Sequence, residues 1–265
     1  MRILFFGDIV GRNGRQVVKR HLDELIDKYR IDFVIANGEN ATHGKGLIEK
    51  HYNELIGAGV DAITLGNHYA RKSEIRHYIN EAECLVRPLN ILIPFGGQGS
   101  RVFDVDGISV RITNLLGTAF MKEEVNHPYY ALKDLIAEVG DNDIHIIDFH
   151  GEATAEKSAF AYAFDGLVCA IIGTHTHVQT RDYRLLPNGT AYISDVGMCG
   201  AYNGVIGFKK EEVINRTLFG KDDLFQLDDG DQSLLSAVVI DVDERTHKAR
   251  EIFPIYLLEN GRNDE

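Results

Sequence analysis

Ile171-Ile172-Gly173-Thr174-His175-Thr176-His177 is the stretch on which the fold turns. The apolar run from Val168 to Ile172 predicts a buried strand that stops at Gly173 and gives way to two histidines two residues apart. In extended backbone, side chains at i and i+2 point to the same side, so the spacing predicts that His175 and His177 aim two imidazoles at one spot. Imidazole is the commonest metal-ligand side chain, and a strand end holds a pair of them rigidly. The pair gains weight because other apolar runs in the chain also end in metal-donor residues.

Towards the N-terminus, Arg2 to Phe6 leads into Gly7-Asp8-Ile9-Val10-Gly11, and Phe33 to Ala36 leads into Asn37-Gly38-Glu39-Asn40. Ala62 to Leu65 ends in Gly66-Asn67-His68, and Ile144 to Phe149 ends at His150. Between them lie helical patterns: Gly14 to Tyr29 carries Val17, Val18, Leu22, Leu25 and Ile26 at helical spacing, and a second helix presents Leu47, Tyr52, Leu55 and Ile56. Arg71 to Glu83, Ala131 to Val139, Glu152 to Phe164 and Lys209 to Leu218 also read as helices. This alternation predicts the α/β class, in which ligands bind at the carboxyl edge of the strands. Asp106-Gly107 between Arg101–Val105 and Val110–Leu115 predicts a hairpin with a type I′ turn. Asp195 to Gly200 and Gly204 to Gly207 read as a glycine-rich loop, and Ala237 to Ile240 and Ile252 to Leu258 as closing strands, Pro254 marking the last as an edge. Taken alone, Asp8 reads as a helix cap or as an acceptor for loop amides, and His145, inside its strand, as a hydrogen-bonded structural histidine. No repeat or linker interrupts the chain, so residues 1–265 read as one domain, with 258–265 as a frayed polar tail.

The 265 residues suffice for a sizeable core, and the net charge of -12 disfavours a surface that tracks long nucleic acid. Cys84, Cys169 and Cys199 are an odd set without C-x-x-C spacing, which predicts a reducing compartment and neither disulfides nor a zinc ribbon. No apolar run reaches the roughly 20 residues of a membrane span, and Asp8 and Arg12 interrupt the only apolar stretch that could serve as a signal peptide. The expected location is the cytoplasm, with a homo-oligomer left open.

Asp8, Glu39, Asn40, Asn67, His68, His150, His175 and His177 place eight donors at five strand ends. Carboxylate, carboxamide and imidazole without thiolate suit iron, manganese or zinc better than calcium. So many donors exceed the needs of one tetrahedral zinc. They fit a two-metal centre, with ions about 3.5–4 Å apart clamping the oxygens of an in-line phosphoryl displacement. Gly44-Lys45-Gly46 does not make a P-loop, because Glu39 stands where the first glycine belongs and Gly46 where Ser or Thr belongs. Gly7, Gly11 and Gly14 lack the dinucleotide-binding spacing, and no G-x-S-x-G occurs. The competing readings are a non-catalytic metal-binding or regulatory module and, further off, a dinucleotide-binding protein.

Taken together, Gly7-Asp8-Ile9-Val10-Gly11, Asn37-Gly38-Glu39-Asn40-Ala41, His43-Gly44-Lys45-Gly46, Gly66-Asn67-His68, Asp148-Phe149-His150, Gly173 to Thr180 and Asp195-Val196-Gly197-Met198 resemble the calcineurin-like metallophosphoesterases, and within them the YmdB-like branch. The resemblance runs from residue 1 to about residue 207. It implies a mixed, layered sheet flanked by helices. It implies that one metal is held by Asp8, Glu39, Asn40 and His177 and a second by Glu39, Asn67, His150 and His175, Glu39 bridging, with His68 as proton donor. Val10 replaces a ligating histidine of the wider superfamily and Glu39 its bridging aspartate, as in the YmdB-like branch, and Asn40 fills the vacancy. Tyr69-Ala70 and Cys199-Gly200-Ala201 depart from the branch outside the ligand set, where they bear on substrate preference.

The expected activity is metal-dependent hydrolysis of cyclic nucleotides, 2′,3′-cyclic and also 3′,5′-cyclic monophosphates. The resemblance implies attack on phosphorus by a hydroxide bridging two divalent or trivalent transition metals, iron ahead of manganese or zinc, with His68 protonating the leaving oxygen. The expected partner is a small phosphodiester, with no membrane.

Overall fold

The computed structural model describes residues 1–140 and 142–260. Two sheets carry the chain. The first contains β1 (Arg2–Phe6), β2 (Asp8–Ile9), β3 (Phe33–Asn37), β4 (Ala62–Thr64) and β5 (Leu85–Val86). The second contains β6 (Ser100–Val105), β7 (Ile108–Leu116), β8 (Ile144–His150), β9 (Ala170–Thr174), β10 (Arg184–Leu185) and β11 (Ala191–Ile193). The chain then returns to the first sheet with β12 (Met198–Ala201), β13 (Ser233–Asp243) and β14 (Lys248–Glu259). The strand orders are β2-β12-β13-β1-β3-β4-β5, with β14 on β13, and β10-β11-β9-β8-β7-β6. The helices among the described residues are α1 (Gly11–Tyr29), α2 (Glu49–Ile56), α3 (Ile75–Tyr78), α4 (Pro128–Val139), α5 (Thr154–Ala163) and α6 (Lys210–Phe219).

Side-chain alternation explains why these strands read as unbroken apolar runs. On β1, Ile3 and Phe5 join Ile35, Ile112, Ile146 and Ile172 in a core between the sheets, while Leu4 and Phe6 meet Val17, Val18 and Leu22 of α1. On β8, Ile146 faces the intersheet core and Ile147 and Phe149 face Phe160 and Phe164 beside α5. The result is helix, sheet, sheet, helix, with both faces of each sheet's centre buried.

The central strands run parallel: β1 with β3, β3 with β4, β7 with β8, and β8 with β9. Their carboxyl ends therefore open on one edge of the sandwich. β1 and β13 pair antiparallel, so the sheet is mixed, as expected.

The Asp106-Gly107 hairpin is present with φ of 53° and 83° and Val105 paired to Ile108, the left-handed pair that a type I′ turn requires. β14 pairs with β13 alone, which fits Pro254 at an edge. His145 Nε2 lies 2.8 Å from Thr113 Oγ1, and burial pushes its pKa down to about 3, so it is a neutral structural histidine.

Three expectations are corrected. The helix read over Arg71 to Glu83 shrinks to the single turn α3; the rest is turns, because Ile75, Tyr78, Ile79 and Ala82 bury without continuous helical bonding. The frayed tail read from 258 begins later, since Leu258 and Glu259 pair with Leu234 and Ser233 on β13; residues 261–265 lie outside the described residues. Within the glycine-rich loop, Met198–Ala201 is a strand that pairs with both β2 and β13.

Candidate metal centre

The seam between the two sheets gathers the donors. Asp8, Glu39, Asn40, Asn67 and His68 follow strands of the first sheet, and His150, His175 and His177 end or follow strands of the second. Asn37 Nδ2 donates to Asp148 Oδ2 across 2.9 Å, and the His175 N–H donates to Asp8 Oδ2 across 3.1 Å. Both bonds stitch one sheet's strand ends to the other's.

Half of the cluster forms around His150, which is fully buried. Its Nε2 lies 3.0 Å from His175 Nδ1, 3.1 Å from Asn67 Oδ1 and 3.2 Å from Glu39 Oε1. Glu39, His150 and His175 each offer a ligand atom within 4.8 Å of the others. Burial opposes the charge on His150, but the facing Glu39 carboxylate overrides it and lifts the imidazole to about 9. Burial likewise opposes the Glu39 charge, and His150 and His68 hold that carboxyl well below its usual range. His175 is pushed down to about 3 by burial and by His150, so its ring stays neutral.

The other half is built from Asp8, Asn40 and His177. His177 Nδ1 donates to the Ile206 carbonyl at 3.0 Å, which turns Nε2 towards Asn40 Nδ2 at 2.9 Å and Asp8 Oδ1 at 3.8 Å. Asp8 is fully buried, and burial raises its carboxyl against the pull of His177 and His150. Helix α1 begins without a side-chain cap, so Asp8 is not its cap; it does accept a loop amide, the His175 N–H. The Asn40 amide donates through Nδ2 to Asp8 Oδ1 at 3.3 Å and presents Oδ1 to His68. For Asn40 to offer its oxygen to a cation beside Asp8 and His177, this amide must be turned over.

His68 sits at the opening, about one-fifth exposed. Its Nδ1 faces Asn40 Oδ1 at 2.9 Å and Glu39 Oε1 at 3.2 Å, and its backbone N–H donates to Glu39 Oε2 at 2.8 Å. With Nδ1 turned inward, Nε2 is the atom left for a ligand.

This set fits a cation site. Among the described residues no lysine or arginine pairs with Asp8 or Glu39, whose charged partners are all histidines. At Gly66 a methyl group would overlap Glu39 Oε2 and His150 Nε2, so glycine keeps the cradle between them open. The donor chemistry, imidazole and carboxylate with carboxamide, suits a transition metal.

The support behind His150 decides which of its nitrogens gives up its proton when a cation binds. Thr174 Oγ1 donates its only proton to Asp148 Oδ1 at 2.6 Å, so it must accept from His150 Nδ1 at 2.8 Å. Nε2 is thereby the nitrogen that faces the cluster, the arrangement that outer-sphere carboxylates impose on ligating histidines. Asp148 is fully buried and also accepts from Asn37 and Thr64; burial pushes its carboxyl up to about 6. Asp148→Asn puts an NH₂ against one of these donors, so Thr174 can swing its proton onto His150 Nδ1 and shift the imidazole proton to Nε2. The expected result is a folded protein whose metal affinity falls about 10–100-fold. Metal titration against a competing chelator checks this, and unchanged affinity excludes the orienting role.

The geometry corrects the reading of the Thr-His-Thr-His stretch. His175 and His177 have φ of 106° and 65°, in the left-handed half of the map, so the backbone is not extended and the two rings do not share one spot. One serves each half of the cluster. Asp148 and Thr174 lay inside quoted motifs without a role, and Glu152, 3.2 Å from His175 Nε2, and Glu123, 3.4 Å from Asn67 Nδ2, gave no signal because each is an ordinary acidic residue in sequence.

Residues 4–255 match the family described as YmdB-like protein. The chain belongs to that family. Over 253 residues the YmdB-like chain is 46% identical to a Bacillus subtilis (strain 168) protein named 2′,3′-cyclic-nucleotide 2′-phosphodiesterase, covering 95% of each. It superposes with a TM-score of 0.93 on a crystal structure from Mycoplasma pneumoniae described as a novel phosphatase, at 44% identity over 98% of this chain and 94% of that one. A Staphylococcus aureus structure described as a candidate 5′-nucleotidase shares the fold alone, with a TM-score of 0.61 at 15% identity, covering all of this chain and 55% of that one. The fold is that of the calcineurin-like metallophosphoesterases, and the YmdB-like chain is a hydrolase of the phosphoesterase class.

Proposed function

We propose that the chain is a metal-dependent phosphodiesterase acting on cyclic nucleotides, on 2′,3′-cyclic monophosphates ahead of 3′,5′-cyclic ones. Asp8, Glu39, Asn40 and His177 hold one cation, and Glu39, Asn67, His150 and His175 hold the other. The observation that carries the reading is Glu39, nearly fully buried, with His150 facing one oxygen and the His68 N–H fixing the other. The name of the Bacillus subtilis relative supports the 2′,3′-cyclic preference.

Bound there, two transition-metal ions, iron ahead of manganese or zinc, would supply Lewis acidity for the phosphoryl oxygens and a water acidified towards neutral pH. The chain's own residues do the rest. Thr174 holds His150 by Nδ1 so that Nε2 faces the cluster beside His175 Nδ1, and Gly66 leaves room between Glu39 and His150. His68 turns Nε2 to the opening, where it gives a proton to the departing oxygen. The net charge of -12 disfavours long nucleic acid, which favours small phosphodiesters, and the free Cys84, Cys169 and Cys199 fit a reducing, cytoplasmic setting.

Elemental analysis combined with turnover assays on 2′,3′-cyclic and 3′,5′-cyclic AMP tests the proposal. The expected protein carries close to two transition metals per chain, loses turnover on chelation, regains it on metal return, and prefers the 2′,3′ substrate. A metal-loaded protein inert on both substrates would instead favour the non-catalytic regulatory reading.

A further inference from the structure

Lys157 and Asp195 form an ion pair with both side chains about 1% exposed, away from the donor set. Lys157 Nζ donates to Asp195 Oδ2 at 3.0 Å and to the Thr174 carbonyl at 2.8 Å. Asp195 Oδ2 also accepts the Thr176 N–H at 2.9 Å, and Oδ1 accepts the Gly197 N–H at 2.8 Å. Asp195 is itself fixed by Thr180, whose N–H donates to the Asp195 carbonyl and whose Oγ1 accepts the Asp195 N–H, each at 3.0 Å.

The two groups gripped by the pair belong to the peptide planes on either side of His175. The Thr174 carbonyl lies in the plane before its Cα, and the Thr176 N–H lies in the plane after it. Fixing both planes fixes both dihedrals of His175, whose φ of 106° is disfavoured for any residue with a Cβ. Thr174 also orients His150 through its hydroxyl, so a shift of its backbone moves both imidazoles of one half of the centre. The other half has further anchors of its own, His177 by the Ile206 carbonyl and Asp8 by the pairing of β2 with β12, and meets His175 through the bond from its N–H to Asp8 Oδ2.

We infer that the Lys157–Asp195 pair is a positioning device that holds His175 in its left-handed conformation, and His150 through Thr174, for the metal site they share with Glu39 and Asn67. The inference rests on the two-metal reading above. A buried ion pair is a poor source of stability on its own, because desolvating two charges offsets much of their attraction. An apolar pair would fill the space equally well but could not deliver directed bonds to two peptide groups at once.

The test compares Lys157→Met, which leaves Asp195 buried and unpaired, with the Lys157→Met/Asp195→Asn double variant, which removes both charges at nearly constant shape. Metal stoichiometry, chelator-competition affinities and thermal unfolding are read for each beside the wild type. The expected double variant is folded, recovers part of the unfolding temperature that Lys157→Met loses, because its carboxamide NH₂ must face either the Thr176 or the Gly197 N–H, and still holds one metal, with affinity for the second lowered about 10–100-fold. Wild-type affinities for two metals in the double variant would overturn the inference, because the pair would then be a structural ion pair only. A wild type that itself holds a single metal would overturn the two-metal reading and the inference with it, a pattern distinct from two metals in every protein.

Discussion

Glu39→Gln is expected to reduce turnover to background while leaving the fold intact. The two Glu39 oxygens have different neighbours, which determines how a glutamine settles. Oε2 accepts the His68 backbone N–H at 2.8 Å, so the glutamine carbonyl takes that place. Its NH₂ then falls where Oε1 stood, 3.2 Å from His150 Nε2 and from His68 Nδ1, and can donate to the imidazole lone pair. No heavy atoms clash, and His68 Nδ1, which loses Oε1 as an acceptor, keeps Asn40 Oδ1. What is lost is the negative oxygen turned towards the histidines, together with the charge that lets two cations approach one another. Metal content should fall towards one per chain, circular dichroism should match the wild type, and hydrolysis of 2′,3′-cyclic AMP should disappear. A variant that keeps two metals and near-normal turnover would show that another group bridges the centre and that Glu39 is misassigned.

The donors themselves were legible because strand ends impose a simple syntax. A strand buried on both faces is largely apolar, so the polar residues just past its end stand out, as Asp8 does after Ile3–Phe6 and Asn37, Glu39 and Asn40 do after Phe33–Ala36. Parallel neighbours then put those positions on one edge. The half to which each histidine belongs was not legible from spacing. His175 and His177 alternate as an extended strand would, yet both adopt left-handed backbone. That conformation is imposed by groups far away in sequence, Asp195 and Ile206 among them.

The supporting residues escaped for a related reason. Lys157 sits in α5, where a lysine ordinarily reads as a solvent-facing residue, and only the approach of Asp195 and the Thr174 carbonyl explains its burial. Asp148 lies within an apolar strand, and its three donors, Asn37, Thr64 and Thr174, come from three different strands of two sheets. Such contacts depend on how the sheets stack, which no local pattern encodes. The four-residue α3 failed for a different reason: its neighbours supply helix-like apolar spacing, but the backbone closes as successive turns.

His68→Ala should separate general-acid catalysis from the rest of the site. Truncation removes the imidazole but keeps the backbone N–H that holds Glu39 Oε2, so the metal donors retain their anchor. The ring is partly exposed, and its removal opens the mouth of the site without leaving a sealed cavity. Metal content and unfolding temperature should therefore stay near wild type. A ribose oxygen leaving from a 2′,3′-cyclic nucleotide is strongly basic and needs a proton as the bond to phosphorus breaks, so turnover on that substrate should fall about 10²–10⁴-fold. An activated aryl phosphodiester releases a weakly basic phenolate that needs no proton, and it should lose far less. The ratio of the two losses is the measurement, since it cancels any general damage to the centre. Equal losses would mean that His68 orients the phosphoryl group, and loss of a metal would mean that the contact of its ring with the Asn40 carboxamide supports the ligand shell.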